Sequence, residues 1–91
     1  MSRILLVGDT GDGGFAALRT RHFSAVLPGA TVVDWRESVA ERAAACAPQL
    51  LVTAGNHGPT RGALAALAQL AALGLPEPAL WLDVAGDPFA E

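Results

Sequence analysis

The sequence predicts a three-layer α/β fold in which a parallel sheet lies between layers of helices. Four short apolar runs alternate with three stretches of helical periodicity, and glycine or proline stands at most of the junctions between them. The third run is almost unbroken in its apolar character, as strands buried on both faces are. At 91 residues the chain has the length of one small domain, so we expect residues 1–91 to form a single unit.

The first half of the chain supplies two strands and the helix between them. We predict strands at residues 3–7 and 30–33, with Gly8 ending the first. The helix is predicted at residues 15–27, before the Pro28-Gly29 stop. Residues at helical spacing place one set of side chains on a common face: Phe15, Leu18, His22 and Val26. We interpret His22 as a histidine packed on that face.

The second half begins with a pattern typical of a helix start. Asp34 is predicted to be an N-cap, because Glu37 three positions later completes an aspartate version of the capping box. The helix is expected at residues 35–47, with Val39, Ala43 and Cys46 facing inward. A strand at residues 49–53, a turn, a helix at residues 61–74 and a strand at residues 79–84 complete the prediction.

Parallel strands joined by right-handed crossovers favour one sheet topology for these elements. The expected fold is doubly wound and flavodoxin-like, with about four strands in the order 2-1-3-4 and three helices. Ligands of such sheets bind beyond the carboxyl ends of the strands, at the point where the strand order reverses. The residues that follow strands one and three are therefore the candidates for a functional site.

Composition and charge exclude several classes of partner. The net charge is −3, and the six basic residues are all arginines without a cluster, so we expect no nucleic-acid binding. The apolar stretch at residues 63–75 is too short to span a bilayer, and we expect no membrane association. Cys46 is the single cysteine and cannot form an internal disulfide, which favours a reducing, cytoplasmic location.

The predicted third helix is apolar around almost its whole circumference. Between residues 61 and 74 only Arg61 and Gln69 are polar. One small sheet cannot cover every face of such a helix. Alanine can form an ordinary surface, or the helix can contact a protein partner or a second copy of the chain. We expect a contact with a protein partner or with a second copy of the chain through residues 61–74, and an ordinary alanine surface stays open as the alternative.

The glycine-rich segment after the first strand, VGDTGDGG at residues 7–14, is the candidate site. Gly8 and Gly13 have the spacing of a phosphate loop, but Gly14 and Phe15 stand where lysine and serine or threonine are required. Carboxylates at strand ends suit a hard cation, so Asp9, Asp12 and Asp83 are candidate Mg²⁺ ligands. Aspartate and glycine are also ordinary turn residues, and a purely structural turn stays open as the alternative.

A hydroxyl with a base in reach would allow nucleophilic chemistry at the same edge of the sheet. Thr10 follows the first strand, and Asn56 and His57 follow the third. Neighbouring strands would bring these residues together, with His57 as the base. Cys46 is expected at a helix C-terminus, where the helix dipole disfavours a thiolate, so a reactive cysteine is not expected.

Four segments together resemble the receiver domain of two-component response regulators: RILLV at 3–7, PQLLV at 48–52, GP…GALAAL at 58–67 and LGLPEPALWLDVAGDP at 73–88. The resemblance covers essentially the whole chain and implies the flavodoxin-like fold. It implies that Asp9 is one acid of a Mg²⁺-binding pair, that Ala54 replaces the phosphoacceptor aspartate, and that Asp83 replaces a conserved hydroxyl. The fifth strand with its lysine is not in this sequence. The resemblance thus implies a pseudo-receiver, a signalling or interaction module without the phosphoryl switch.

A second resemblance, to SGNH-type hydrolases and acyltransferases, is the alternative. The segment LLVGDT at 5–10 resembles their first block, with Thr10 in place of the nucleophilic serine, and TAGNHGP at 53–59 resembles the block whose asparagine, here Asn56, serves the oxyanion hole. The glycine block between them is not evident, and no histidine follows His57. This likeness implies an esterase or acyltransferase remnant.

Overall fold

The computed structural model of the chain describes residues 3–11, 14–55 and 57–82. Strands and helices alternate along these residues, as the apolar runs and helical periodicities predict. The strands are β1 (Ile4–Gly8), β2 (Thr31–Asp34), β3 (Leu50–Thr53) and β4 (Ala79–Leu82). The helices are α1 (Phe15–Val26), α2 (Val39–Cys46) and α3 (His57–Ala72).

The four strands form one parallel sheet in the order β2-β1-β3-β4, which confirms the predicted α/β fold and strand order. Leu6 of β1 lies opposite Val32 on one side and Val52 on the other, so β1 is central. Because β1 and β3 are neighbours but not consecutive, their carboxyl ends flank the point at which the strand order reverses.

Helices cover the two faces of the sheet unequally. On one face α2 and α3 pack together over a core that includes Leu5, Val33 and Leu51. On the other face α1 lies alone over a smaller core of Leu6, Phe23, Val52 and Ala54. Strand β4 lies at the edge of the sheet, and its side chains alternate between the two faces.

Helix α1 packs through a face different from the predicted one. From residue 17 to the end of this helix, the buried residues are Ala17, Thr20 and Phe23. Leu18, His22 and Val26 are exposed, so the predicted packed face is wrong for these three, and His22 is not a core histidine. Gly8 lies beneath Thr20 and has no side chain, which makes room for the helix to approach the sheet at that point.

Two helix starts also differ from the prediction. Helix α2 begins at Val39 with Ser38 as the N-cap, so the assignment of Asp34 as N-cap is wrong. Asp34 is instead the last residue of β2, and its carboxylate binds outside the helix. Helix α3 begins at His57 and not at Arg61, because proline at position 59 lies in the first turn, where no intrahelical N–H is needed.

Trp35 joins the β2–α2 connection to helix α3. Gly58 and Gly62, one helical turn apart, lie against this side chain. A Cβ atom on Gly58 would stand 2.5 Å from the indole Cδ2, and one on Gly62 would stand 3.6 Å from the Trp35 Cβ. The missing Cβ at Gly58 therefore makes room on α3 for the ring.

Across residues 3–11, 14–55 and 57–82, no helix has the length and apolar character needed to cross a membrane.

Candidate functional site

The polypeptide leaving β1 is held by a buried threonine of α1. The backbone N–H of Asp9 donates to Thr20 Oγ1 at 2.8 Å, and Thr20 is buried. The Gly11 N–H donates to Asp9 Oδ1 at 2.8 Å, which closes a tight turn within the loop. The loop after β1 is therefore fixed both to α1 and by its own carboxylate.

Asp34, at the end of β2, receives hydrogen bonds from two neighbouring segments. The backbone N–H and the hydroxyl of Thr10 both donate to Asp34 Oδ2, each at 3.0 Å. The backbone N–H of Arg36 donates to Asp34 Oδ1 at 2.9 Å. Asp34 is only 6% exposed, so these donors replace the water that its carboxylate loses.

Arg36 bridges the two aspartates. Its Nη2 lies 2.9 Å from Asp9 Oδ2, and its Nη1 lies 3.0 Å from Asp34 Oδ2. The guanidinium carbon also lies 4.9 Å from the centre of the Trp35 ring, within cation–π distance. One guanidinium thus joins the segments that follow β1 and β2. We call Asp9, Thr10, Asp34 and Arg36 the polar cluster.

The electrostatics of the cluster keep both carboxylates ionised. The hydrogen bond from Arg36, with the Gly11 N–H, lowers the pKa of Asp9. Burial alone would raise the pKa of Asp34, but the hydrogen bonds from Thr10 and Arg36 outweigh it and the pKa is lowered. The Asp9 hydrogen bond in turn raises the pKa of Arg36. The cluster is therefore a set of paired charges at neutral pH, and Asp34 is a weak base.

The stability that the cluster supplies is expected to be lost in acid. A carboxylate whose pKa is lower in the folded state stabilises that state above its unfolded value, about 3.9, and the contribution disappears as the pH falls through the folded pKa. The free-energy difference between wild type and Asp34→Asn should be constant near neutrality and shrink below about pH 4. Urea unfolding at a series of pH values measures it, and a difference that stays constant into acid would contradict the ion-pair geometry.

The structure locates only part of the predicted metal site. Asp9 lies in the polar cluster, while Asp12 and Asp83 lie outside the described residues. No group of three or more His, Cys, Asp or Glu within the described ranges is arranged to hold a metal ion. The Arg36 guanidinium lies against both Asp9 oxygens, so a cation would have to displace it or bind beside it. Mg²⁺ binding by Asp9, Asp12 and Asp83 stays a prediction.

The residues of the hydrolase alternative are located in part. Thr10 donates its hydroxyl to Asp34 and not to a histidine. Asn56 lies outside the described residues, and so does the side chain of His57, whose backbone begins α3. Whether Thr10, Asn56 and His57 meet therefore stays open.

Ala54 lies directly after β3, as the sequence predicts. It is fully buried, and its N–H donates to the Val7 carbonyl at 2.9 Å, which continues the β1–β3 pairing. The position at the centre of the carboxyl edge thus carries a methyl group inside the core. No phosphoryl group can be accepted there.

Sequence reasoning missed Asp34 and Arg36 as members of this site. Asp34 was assigned to a helix cap, and Arg36 to the helix behind it. A signal for them was present in the predicted strand order, because β1 and β2 are neighbours and their carboxyl ends meet at one edge. Polar residues after β2 could therefore have been paired with Asp9 and Thr10.

The comparisons with known proteins find no match: no family model, no curated protein and no solved structure is significantly similar to the chain. The fold and the polar cluster are therefore supported by this chain's own residues.

Proposed function

We propose that the chain acts by binding and not by chemistry, as a receiver-like protein-interaction module without a phosphoacceptor. The observation that carries the proposal is the exposure of β4. Leu80, Trp81 and Leu82 are large apolar side chains, and each is between 37% and 49% exposed. Parallel sheets normally have both faces covered, so this strand has the character of a contact surface.

The β4 edge, Ala79–Leu82, is short but lacks two of the features that keep exposed strands from pairing. Natural edge strands are protected by charged side chains, proline or a bulge, and these four residues contain neither a charge nor a proline. Trp81 lies on the α1 face, edge-on to Phe23 at 5.7 Å between ring centres. Leu80 and Leu82 extend the α3 face, because side chains alternate along a strand.

Helix α3 offers a second exposed apolar surface. Its inner face packs on α2 and the sheet through Ala63, Ala66 and Leu70. Its outer face is exposed and apolar, with Leu64, Ala65, Ala68 and Ala72. The proposed partner is a second copy of the chain, held through the β4 edge and this outer face of residues 61–74. Arg61 is the one charged residue on the two elements, so β4 itself brings no charge to the contact.

Two features of the site support binding over catalysis. Arg36 pairs with both the Asp9 and the Asp34 carboxylate, and their lowered pKa values make each a weak base. Ala54 stands where the receiver resemblance requires the acceptor. The cytoplasmic location and the signalling role belong to this proposal as well, the first from the single Cys46 and the second from the resemblance.

The test is the mass of the chain in solution. Sedimentation equilibrium of the wild type should give a concentration-dependent dimer, and Leu80→Lys should give a monomer because a charge would be buried at the contact. Glu77→Lys, an exposed change just before the strand, is the control and should leave the dimer intact. A wild type that is monomeric at high micromolar concentration would refute self-association through this surface.

Two assays distinguish the receiver resemblance from the hydrolase alternative. The receiver resemblance predicts Mg²⁺-dependent NMR shifts at Asp9, Asp12 and Asp83 without labelling by acetyl phosphate. The hydrolase alternative predicts slow turnover of an activated acetyl ester that is lost in Thr10→Ala. Equal rates of ester turnover in the wild type and in Thr10→Ala would exclude the hydrolase alternative. Labelling of the chain by acetyl phosphate would contradict a module without a phosphoacceptor.

A further inference from the structure

A second candidate site lies at the opposite edge of the sheet, where the strands begin. A groove of about 520 Å³ is bounded by the first residues of β1 and β2 and by the last turns of α2. Small-molecule sites in proteins span roughly 300–1,000 Å³, so the groove has the size for a ligand. Among the residues that line it are Arg3, Ile4, Thr31, Arg42, Ala45 and Cys46. We call it the Arg3–Arg42 groove.

Arg3 is fixed in position by neutral partners. Its Nε donates to the Ala47 carbonyl at 2.9 Å, and its backbone N–H donates to Gln49 Oε1 at 3.3 Å. Ala47 is the C-cap of α2, so this contact places a cation at the negative end of the helix. A guanidinium has five N–H donors, and within the described part of the chain the Ala47 carbonyl takes one of them, at Nε, so both terminal nitrogens are available to a ligand.

Arg42 contributes the second positive charge. Arg42, Ala45 and Cys46 stand at positions i, i+3 and i+4 of α2 and so lie along one side of the helix. Among residues 3–11, 14–55 and 57–82, no carboxylate pairs with Arg42 or with Arg3. Arg36, by contrast, forms ion pairs with two aspartates. The net charge of the chain is −3, so its carboxylates outnumber its arginines.

The remainder of the groove is apolar. Ile4 and Cys46 are half-buried, and Ala45 and the Thr31 side chain stand at its border. A fully hydrated anion would gain little from these walls, whereas an apolar chain would lose water-exposed surface against them. Two guanidinium groups that pair with no carboxylate of the described residues, beside an apolar wall, are complementary to a molecule with an anionic head and a short hydrocarbon body.

We propose that the Arg3–Arg42 groove is a binding site for a small amphipathic carboxylate. The carboxylate lies between the two guanidinium groups, which can each donate two parallel hydrogen bonds to it. The hydrocarbon body lies along Ile4, Ala45 and Cys46. The site is on the edge of the sheet opposite the polar cluster, and it does not depend on the proposed self-association.

Octanoate is the probe, followed by ¹H–¹⁵N NMR on the full chain. Saturable shifts are expected at the amides of Thr31, Ala45 and Cys46, with much weaker binding of octanol, which lacks the charge, and of inorganic phosphate, which lacks the hydrocarbon. Shifts that are absent at millimolar octanoate, or that centre elsewhere, would overturn the proposal. Equal binding of octanol or of phosphate would overturn it too.

A pair of arginine variants makes the test specific. Arg42→Gln should weaken octanoate binding about tenfold or more, because a charge-assisted pair of hydrogen bonds is lost. Arg61→Gln changes the net charge equally, but its exposed side chain is in the first turns of α3, toward the carboxyl edge, and its binding should match the wild type. Equal octanoate affinity of Arg42→Gln and Arg61→Gln would show that Arg42 has no specific role in binding and would refute the site.

Discussion

Replacing Gly8 with alanine is expected to lower the free energy of unfolding by about 3 kcal/mol, at the upper end of the usual cost of overpacking a core. A Cβ at this position would lie 2.7 Å from Thr20 Cγ2 and 2.9 Å from Thr20 Cβ, besides meeting the hydroxyl oxygen. Thr20 cannot simply rotate away, because it is buried and its Oγ1 accepts the Asp9 N–H. Either α1 or the end of the central strand must shift.

Urea unfolding followed by tryptophan fluorescence measures this change. Gly11→Ala is the matched control: its Cβ would stand 3.0 Å from Asp9 Oδ1 and 4.0 Å from Asp9 Cγ, a tight contact but not an overlap, and we expect a loss below about 1 kcal/mol. Combining Gly8→Ala with Thr20→Ala should cost less than the sum of the two single changes, because the second removes atoms that the first collides with. Strict additivity would show that the two residues do not meet.

Removing the Asp34 carboxylate is expected to cost a similar amount, about 3 kcal/mol in Asp34→Ala. The change leaves the Thr10 N–H, the Thr10 hydroxyl and the Arg36 N–H without the acceptor that the buried Asp34 carboxylate supplies. Asp34→Asn keeps one acceptor oxygen and should cost less. Thermal or urea unfolding gives the ranking Ala worse than Asn, and a milder Ala variant would contradict the hydrogen-bond assignment.

Glu37→Ala distinguishes this role of Asp34 from that of a helix cap. If Asp34 and Glu37 formed a capping box, either substitution would weaken α2. In the structure α2 begins at Val39 and Glu37 is exposed, so Glu37→Ala should change stability by less than about 0.5 kcal/mol. Comparable losses in the Glu37 and Asp34 variants would favour the capping box.

The strands were predictable because each depends on a local run of apolar residues. Their order was predictable because right-handed crossovers are a general property of parallel sheets. The face of α1 was not predictable in the same way. This helix carries apolar residues on two sides, and the choice of Ala17, Thr20 and Phe23 over Leu18 and Val26 depends on the space above Gly8. That space is a property of the packed pair and not of the helix sequence.

The polar cluster also depends on contacts between residues that are distant in the sequence. Asp9 and Thr10 were predicted from their place after β1, but Asp34 has a local pattern that fits a helix cap equally well. Its carboxylate binds Thr10, 24 residues away, and this distant partner decides its role. The pairing of Arg36 with Asp9, 27 residues away, is likewise invisible to a local pattern.

The packing of Trp35 on helix α3 has a consequence for how the polar cluster comes to exist. All four members of the cluster lie within the first 36 residues, yet the space that accommodates the neighbouring indole is provided by Gly58 of α3. A fragment that ended before α3 would contain every charged group of the cluster and still lack the support that orders the β2–α2 connection. We therefore expect the cluster to be less well ordered in such a fragment than in the full chain.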